Sequence, residues 1–309
     1  MSNQPVHLLL NPASGGGSAL RRWRHVEARA RELLAPLTIQ ISSRPGELER
    51  IAGALRDTDA LVVAAGGDGT SHEVVNGLLG PPGAEPPRAV LAWLPLGSGN
   101  DLARSAGVPV RTEAGPDLLR RRPTRSIDAG RMSYAGPDGP AARVFGNSLT
   151  AGLSGQVLER VSRGGLLGGR PAYGVAAIRA LIGGHPTRIA IEADGRPVYD
   201  ASTWLVGITN GAYFGAGMLA APGATIHDGR LHLVTVDPLS RLRALALFPK
   251  IYGGHHLRHP AVTRHAVVRA RLVSPAPLDV EIDGERLMAQ SPIEVTLLPA
   301  ALTAVVGSP

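Results

Sequence analysis

Several residue types and patterns are missing or rare in this chain, and this limits the functions that it can have. Cysteine is absent from the 309 residues, which excludes disulfide frameworks, thiolate metal sites and cysteine nucleophiles. Aromatic residues are few (3 Trp, 5 Tyr and 3 Phe) and do not alternate with arginine, so nucleic-acid binding is not predicted. The longest uninterrupted apolar runs, such as 60–65 and 89–94, have strand length. A membrane span needs about 18 residues or more.

The charge is basic and is carried almost entirely by arginine. Of the 32 basic residues only Lys250 is a lysine, and 25 interspersed acidic residues leave a net charge of +7. A basic surface of this kind is compatible with contact to anionic lipid headgroups. Hydrophobic residues make up 44% of the chain, enough for sizeable cores, and the length is typical of two domains. We expect a cytoplasmic protein that touches a membrane only at its periphery.

The first third of the chain alternates strands with helices. Strands are predicted at 6–10, 38–42, 60–65 and 90–94, and helices at 18–34, 47–55, 71–79 and from near Asp101. The strands are almost continuously apolar, as buried parallel strands are. This pattern predicts a parallel sheet with helices on both faces.

The pattern changes after residues 109–126, which are rich in arginine and proline and indicate a connection. Strands are then predicted at 188–193, 204–209, 230–236, 266–273, 278–282 and 293–298, with helices at 173–182 and 239–252. Asp194-Gly195 and Asp283-Gly284 are typical of hairpin turns. We therefore expect an α/β domain at 1–125 and a β domain at 126–309, with the last strand returning toward the first domain.

The strongest local signal is G-G-D-G-T at 66–70, which follows a buried strand and opens a helix. Glycines let the backbone approach a ligand closely, and a helix N-terminus offers free N–H groups to a phosphate. Asp68 adds a carboxylate for Mg²⁺ on the phosphates. Thr70 and Glu73 also fit a capping box. The alternative is a tight turn followed by an ordinary helix cap.

Two further loops follow neighbouring strands of the predicted sheet. P-L-G-S-G-N-D at 95–101 leaves a buried strand and enters a helix, for which Asn100 is a good N-cap. N-P-A-S-G at 11–15 follows the first strand. Because parallel strands end at one edge of a sheet, we expect the three loops to meet where ligands bind.

These loops resemble those of the diacylglycerol kinase catalytic-domain family, which includes bacterial lipid kinases and sphingosine and ceramide kinases. The matching segments are N-P-A-S-G, G-G-D-G-T-S-H-E-V-V-N-G and P-L-G-S-G-N-D, then N-G-A-Y-F-G-A-G at 210–217, A-P-G-A at 221–224, D-G-R-L at 228–231 and I-D-G-E at 282–285. Their order and spacing cover nearly the whole chain.

The resemblance implies an ATP-dependent kinase that phosphorylates a lipid hydroxyl. It implies a Rossmann-like first domain, similar to phosphofructokinase and NAD kinase, a β-sandwich second domain, and Mg²⁺ and ATP in the cleft between them. The implied nucleotide site comprises Asn11, Ser42, Gly66, Gly67, Asp68, Gly69, Thr70, Glu73, Ser98 and Asn100. Ser42 is placed only by its distance from Gly46.

The same resemblance implies roles for two Asp-Gly pairs of the second half. Asp283 matches the general base of the family, with Glu285 close by, and its alternative is a type I′ turn. Asp228 matches a structural metal ligand assisted by the carbonyl groups of Thr225 and Arg230, and its alternative is a turn before a strand.

Several positions depart from the family pattern. Ser98 stands where threonine is more common, and His72 is unusual beside Glu73 and is expected to be exposed. Residues 152–155 lack the acidic residue of sphingosine-type members, which favours a neutral glycerolipid substrate. The clustered His255, His256, His259 and His265 are expected to be solvated loop residues.

The sequence leaves the identity of the lipid open among diacylglycerol, phosphatidylglycerol, a ceramide-like lipid and a polyprenol. A homodimer is also left open. The alternatives to a lipid kinase are an NAD kinase and a non-catalytic nucleotide or lipid sensor on the same fold. Segment 239–258 is the predicted membrane contact, with Leu242, Leu245, Ala246, Phe248 and Ile251 among Arg241, Arg243, Lys250 and Arg258. Its alternative is a helix packed on the sandwich.

Overall fold

The computed structural model describes residues 4–136, 139–153 and 170–307. The first part of the chain forms a parallel sheet in the order β2-β1-β3-β4. Its strands are β1 (Val6–Leu10), β2 (Leu37–Ile41), β3 (Leu61–Gly66) and β4 (Val90–Pro95). Its helices are α1 (Ala19–Leu33), α2 (Glu47–Leu55), α3 (Asp68–Leu79), α4 (Asp101–Ser105) and α5 (Gly115–Arg121).

The first core forms because β3 is apolar at every position and is wholly buried. The helices add one apolar stripe each, such as Trp23 and Val26 of α1 and Leu48 and Ala52 of α2. Burying apolar surface contributes roughly 25 cal/mol per Å² to folding, so this layered core fixes the positions of the strand ends.

The second part is a β-sandwich. Its strands are β5 (Thr124–Gly136), β6 (Gly139–Phe145), β7 (Ser148–Gly152), β8 (Thr187–Ala193), β9 (Arg196–Thr203), β10 (Leu205–Thr209), β11 (Tyr213–Phe214), β12 (Met218–Leu219), β13 (Leu231–Val236), β14 (Val262–Val267), β15 (Arg269–Val273), β16 (Leu278–Ile282) and β17 (Glu285–Val305). One layer has the order β14-β13-β10-β7-β16-β17, and the other joins β17 to β5–β6 and β15–β8–β9. A second core of apolar side chains lies between the layers.

Two helices and two 3₁₀ segments cover the outer side of the first layer. They are α6 (Arg170–Gly183), α7 (Arg241–Leu247) and the 3₁₀ segments Phe248–Gly253 and His255–Arg258. In the described parts of the chain, no helix has both the length and the apolar character needed to cross a bilayer.

Strand β17 connects the two halves of the molecule. It begins in the hairpin with β16, where Glu285 pairs with Ile282. Its far end runs parallel to β4, with Thr303 opposite Val90. One continuous strand of 21 residues thus belongs to the sandwich at one end and to the first sheet at the other.

The predicted fold class is confirmed, and three details of the predicted elements are wrong. Helix α3 begins at Asp68 rather than Ser71. The connection predicted at 109–126 contains α5. The strand predicted at 266–273 is two strands, because β14 pairs with β13 whereas β15 pairs with β17 in the other layer. The break lies at Val268, whose backbone N–H donates to the Asp194 carboxylate.

Candidate functional site

The three glycine-rich loops meet at the carboxyl edge of the first sheet, as the sequence predicts. Ser14 of the first loop accepts a hydrogen bond from the Gly67 backbone N–H (3.3 Å), and its hydroxyl lies 3.1 Å from that of Thr70. A Cβ atom on Gly97 would clash with the Cα of Gly67. The absence of a side chain at both positions is therefore what allows the second and third loops to touch.

Asp68 links the second loop to the third by capping a helix that it does not belong to. Its Oδ1 accepts hydrogen bonds from the backbone N–H groups of Asp101 (2.6 Å) and Leu102 (3.4 Å), the first residues of α4. Asn100 occupies the N-cap position, as predicted, but its side chain makes no capping hydrogen bond to the helix. Asn100 has a positive φ of 56°, and its amide bonds back to the Gly97 N–H and carbonyl.

The predicted capping box of Thr70 and Glu73 is wrong. Both residues lie inside α3, because the helix starts at Asp68. Glu73 instead accepts a hydrogen bond from the Leu48 backbone N–H (3.0 Å) in the first turn of α2. Glu73 therefore fastens two helices together.

The other residues assigned to the nucleotide site lie along the same edge. Asn11 accepts a hydrogen bond from the Ala13 N–H (3.0 Å), and Ser98 is exposed at the tip of its loop. Ser42 follows β2 and donates its backbone N–H to the Leu10 carbonyl at 2.9 Å. The part of the edge between β2 and the third loop thus presents small polar groups.

Asp283 lies in a two-residue hairpin turn, and its side chain is buried. The positive φ values of Asp283 (47°) and Gly284 (90°) confirm the predicted turn. Its carboxylate also accepts three backbone hydrogen bonds, from Gly146 (2.7 Å), Asn147 (3.1 Å) and Ser148 (2.8 Å). Three converging donors fix the orientation of the carboxylate.

His72 is buried, so the prediction of an exposed side chain is wrong. It is 5% exposed, and its Nδ1 lies 3.6 Å from Oδ2 of Asp283. Beside it, Asn76 donates to the Val144 carbonyl (2.9 Å) and accepts from the Val144 N–H (3.0 Å). Helix α3 thereby holds the strand end whose N–H groups bind Asp283.

Two further carboxyl groups that the sequence analysis missed complete an acidic cluster. Asp101 accepts a hydrogen bond from the Ala216 N–H (2.8 Å). Burial, and then the charges of Asp101, Asp68 and Asp283, raise the pKa of Glu281 to about 8. Burial and the charges of Asp101 and Asp283 raise the pKa of Asp68 to about 7. The cluster lies where the first sheet's loops meet the sandwich.

We expect Glu281→Gln to stabilise the protein more at high pH than at low pH. Between its unfolded pKa and about 8, folded Glu281 keeps a proton that the unfolded chain releases, so wild-type stability falls as pH rises through this window. Glutamine removes that dependence. Thermal unfolding at about pH 5 and about pH 9 measures the difference, with exposed Glu192→Gln as the control. An equal gain at both pH values would contradict the assignment.

Asp228 closes a tight turn with the residues predicted to share a metal ion. Its oxygens accept hydrogen bonds from the backbone N–H groups of Thr225 (3.1 Å) and Arg230 (3.0 Å), and His232 Nε2 lies 3.1 Å away. The structure thus shows the turn that is the alternative interpretation of Asp228. A metal-binding role for Asp228 stays a prediction. Among the residues that the structure describes, no three His, Asp or Glu side chains are arranged to hold a metal ion.

An apolar cavity, partly open to solvent, lies under the helices that cover the sandwich. Its walls include Leu181 of α6, Leu205 of β10, and Ala244 and Leu247 of α7. His256 also lines it and is buried, with Nε2 3.0 Å from the Ala220 carbonyl. The prediction of a solvated His256 is therefore wrong.

The short hairpin β11–β12 connects this cavity to the acidic cluster. Phe214 and Met218 form part of the cavity wall. Between them, Ala216 donates its N–H to Asp101, and the preceding Tyr213 carbonyl accepts from the Asn147 side chain (2.7 Å). The hairpin therefore contacts both the cavity and the acidic cluster.

Two family models match this chain. Residues 5–132 match the model described as "Diacylglycerol kinase catalytic domain", and residues 147–306 match "YegS C-terminal NAD kinase beta sandwich-like domain". The chain is 29% identical over 300 residues to a diacylglycerol kinase of Mycobacterium tuberculosis strain ATCC 25618 / H37Rv, covering 96% of this chain and 93% of the relative. It is 30% identical over 305 residues to a "Probable lipid kinase YegS-like" protein of Pseudomonas aeruginosa, covering 98% and 94%.

Solved structures share the fold at lower identity. A diacylglycerol kinase structure from Bacillus anthracis str. Sterne has a TM-score of 0.69 at 19% identity and covers 99% of this chain and 97% of that one. An NAD kinase from Archaeoglobus fulgidus in complex with ATP has a TM-score of 0.53 at 13% identity, covering 99% and 94%. Both similarities concern the fold alone.

Proposed function

Because this chain belongs to the diacylglycerol kinase catalytic-domain family and is a lipid kinase, we propose that it transfers the γ-phosphoryl group of Mg·ATP to a glycerolipid hydroxyl. Diacylglycerol is the proposed acceptor. The observation that carries this proposal is the β11–β12 hairpin, whose Phe214 and Met218 line the apolar cavity and whose Ala216 N–H binds Asp101 of the acidic cluster.

The lipid would place its hydroxyl at the carboxylates and one acyl chain in the cavity. The cavity walls are almost entirely aliphatic or aromatic, and apolar burial supplies roughly 0.8 kcal/mol for each methylene group. Gly152 and Leu153 lie at the cavity end of β7 and offer no acid to a substrate amine. Ser154 and Gly155 lie outside the described residues. These features support an uncharged glycerolipid over a sphingoid base.

The donor side would use the three glycine-rich loops. Helix α3 starts at Asp68 directly after Gly67, and its N-cap residue makes no side-chain capping bond. Such a helix N-terminus binds phosphate through its free N–H groups and its dipole. We propose that Gly66, Gly67, Gly69 and Thr70 hold the phosphates, and that Asn11, Ser42, Ser98 and Asn100 line the rest of the nucleotide site.

The residues present fit a magnesium ion. Mg²⁺ is usually held by one or two carboxylates together with substrate phosphates, and no dedicated cage of protein ligands is needed. Asp68 is placed beside the phosphate loops, and Glu281 contributes a buried Oε2 that accepts no hydrogen bond from the described residues. When bound, the ion would neutralise charge that develops on the phosphoryl oxygens.

The acceptor hydroxyl needs an oriented base, and we propose Asp283 for this role. Its three backbone donors hold it in a fixed orientation, which suits a group that accepts a proton late in a largely dissociative transfer. Glu285 follows Gly284 and is exposed toward the phosphate loops, because a Cβ on Gly69 would lie 3.2 Å from its Oε1. Glu285 would orient the hydroxyl from the solvent side.

Filling the cavity tests the acceptor site. Ala244→Phe places a ring among the cavity walls, and we expect KM for long-chain diacylglycerol in mixed micelles to rise at least tenfold, about 1.4 kcal/mol. KM for ATP should not change. The control is Ala54→Phe, which adds the same ring to an exposed position of α2. An unchanged chain-length preference in Ala244→Phe would remove the cavity from the acceptor site.

A further inference from the structure

The outward face of α6 is apolar where a surface helix is normally polar. Val175, Ile178 and Ile182 recur at helical spacing and are 40%, 39% and 55% exposed. The inward face is apolar as well, since Ala176 and Ala180 are buried against the β11–β12 hairpin. The inner stripe accounts for packing, so the outer stripe has no role in the core.

Helix α7, which lies beside α6, also has apolar side chains on both its outward and its inward side. Leu242 is 80% exposed between the exposed side chains of Arg241 and Arg243. Ala244 and Leu247, on the opposite side, line the apolar cavity. The two helices pack together, since Leu181 of α6 and Ala244 of α7 belong to one buried apolar cluster.

The charge around these helices has one sign. Residues 170–186 and 239–258 contain no Asp or Glu, although the whole chain has 25. The basic residues of the two segments are Arg170, Arg179, Arg241, Arg243, Lys250 and Arg258. Apolar side chains among cations are typical of surfaces that lie at the headgroup level of anionic membranes.

We propose that this α6–α7 face, formed by Val175, Ile178, Ile182 and Leu242 with Arg179, Arg243 and Lys250, docks on an anionic lipid bilayer. The proposal rests on the proposed function, because the cavity that would take the acyl chain lies directly behind the same two helices. Leu181, Ala244 and Leu247 form the cavity wall on the inner side of the face. A docked bilayer would therefore lie next to the site that needs its lipid.

This surface differs from the segment that the sequence singles out. Of the predicted membrane-contacting side chains, Leu245, Phe248 and Ile251 are half-buried and pack against the inner apolar clusters. Leu242 and Ala246 are exposed. Helix α6, outside the predicted segment, supplies three of the four large exposed apolar side chains of this face.

The test measures binding to vesicles of defined composition. Wild type, Ile182→Ser/Leu242→Ser and Arg179→Gln/Arg243→Gln/Lys250→Gln are floated with phosphatidylcholine vesicles with or without about 30 mol% phosphatidylglycerol. The matched control is Val110→Ser/Val273→Ser. These two valines lie away from the α6–α7 face, and each is 41% exposed. Each protein is also assayed on short-chain diacylglycerol in solution, which reports the proposed function separately.

We expect wild type and control to bind the anionic vesicles and both face variants to bind at least tenfold less. Raising NaCl from about 0.05 to 0.5 M should weaken wild-type binding, because the screening length falls from more than 10 Å to a few Å. Activity on the short-chain lipid should stay within about twofold in all variants. Equal vesicle binding by wild type and Ile182→Ser/Leu242→Ser would overturn the proposal. The proposal would also be overturned if wild type did not bind vesicles but formed a dimer that Ile182→Ser/Leu242→Ser disrupts.

Discussion

Replacing Asp283 by asparagine is expected to lower kcat by about 10³-fold, within the range for loss of a general base. The amide keeps the size of the side chain and one acceptor oxygen for the N–H groups of Asn147 and Ser148. It removes the charge and turns an acceptor oxygen near Gly146 into a donor. The affinity for ATP, measured by calorimetry, should change little, because the phosphate loops belong to the other domain.

Asp283→Ala separates the chemical role from the structural one. It leaves three backbone donors without their acceptor, and each unpaired buried donor costs about 1–3 kcal/mol. We therefore expect alanine to lower the melting temperature more than asparagine does at a similar loss of turnover. If ATP affinity collapses while turnover persists, Asp283 acts on the donor side and the assignment is wrong.

Asp68→Asn is expected to lower kcat by at least tenfold, or about 1.4 kcal/mol in the barrier, and to raise the Mg²⁺ concentration needed for half-maximal rate. Asparagine retains the oxygen that accepts from Asp101 and Leu102, so the melting temperature should stay close to wild type. Only the charge is lost.

Asp68→Ala also removes the cap of α4, which costs about 1 kcal/mol, and should lower the melting temperature as well. Comparing the two variants shows whether lost activity follows lost charge or a lost helix cap. An asparagine variant with normal turnover and normal Mg²⁺ dependence would take Asp68 out of the mechanism.

The sequence predicts the first domain well because its signals are local. The apolar run of β1 and the start and end of α2 match the structure residue by residue. The sequence pattern does not predict α5, because its segment contains proline and several arginines. Pro116 lies in the first turn, where a helix tolerates proline, and Leu118 and Leu119 bury the inner side.

The candidate site is less predictable because it depends on packing between distant segments. The sequence predicts an exposed His72 beside the polar Glu73, but α3 turns His72 toward the sandwich and Asp283. Glu281 carried a detectable signal: it lies two residues before Asp283 in β16, and alternate strand residues share a face. Its burial among other carboxylates follows only from the meeting of the two domains.

Caps are a second kind of feature that local patterns misplace. Asn100 has the residue type of an N-cap, yet the first N–H groups of α4 are bound by Asp68, which lies 33 residues earlier. A side chain from another loop satisfies these donors because the two glycine-rich turns touch. The same contact that defeats the local prediction builds the candidate site.

The most direct measurement of the central claim is transfer of labelled phosphate from γ-labelled ATP to a mixture of acceptors. Diacylglycerol, ceramide, sphingosine, phosphatidylglycerol and a polyprenol are presented together in mixed micelles with NAD in solution, and the products are separated by chromatography. The apolar cavity, joined to the acidic cluster by β11–β12, predicts label on diacylglycerol, and about 10³-fold less of it when Asp283→Asn replaces wild type. Label on NAD or on a sphingoid base, with diacylglycerol unlabelled, would contradict the account.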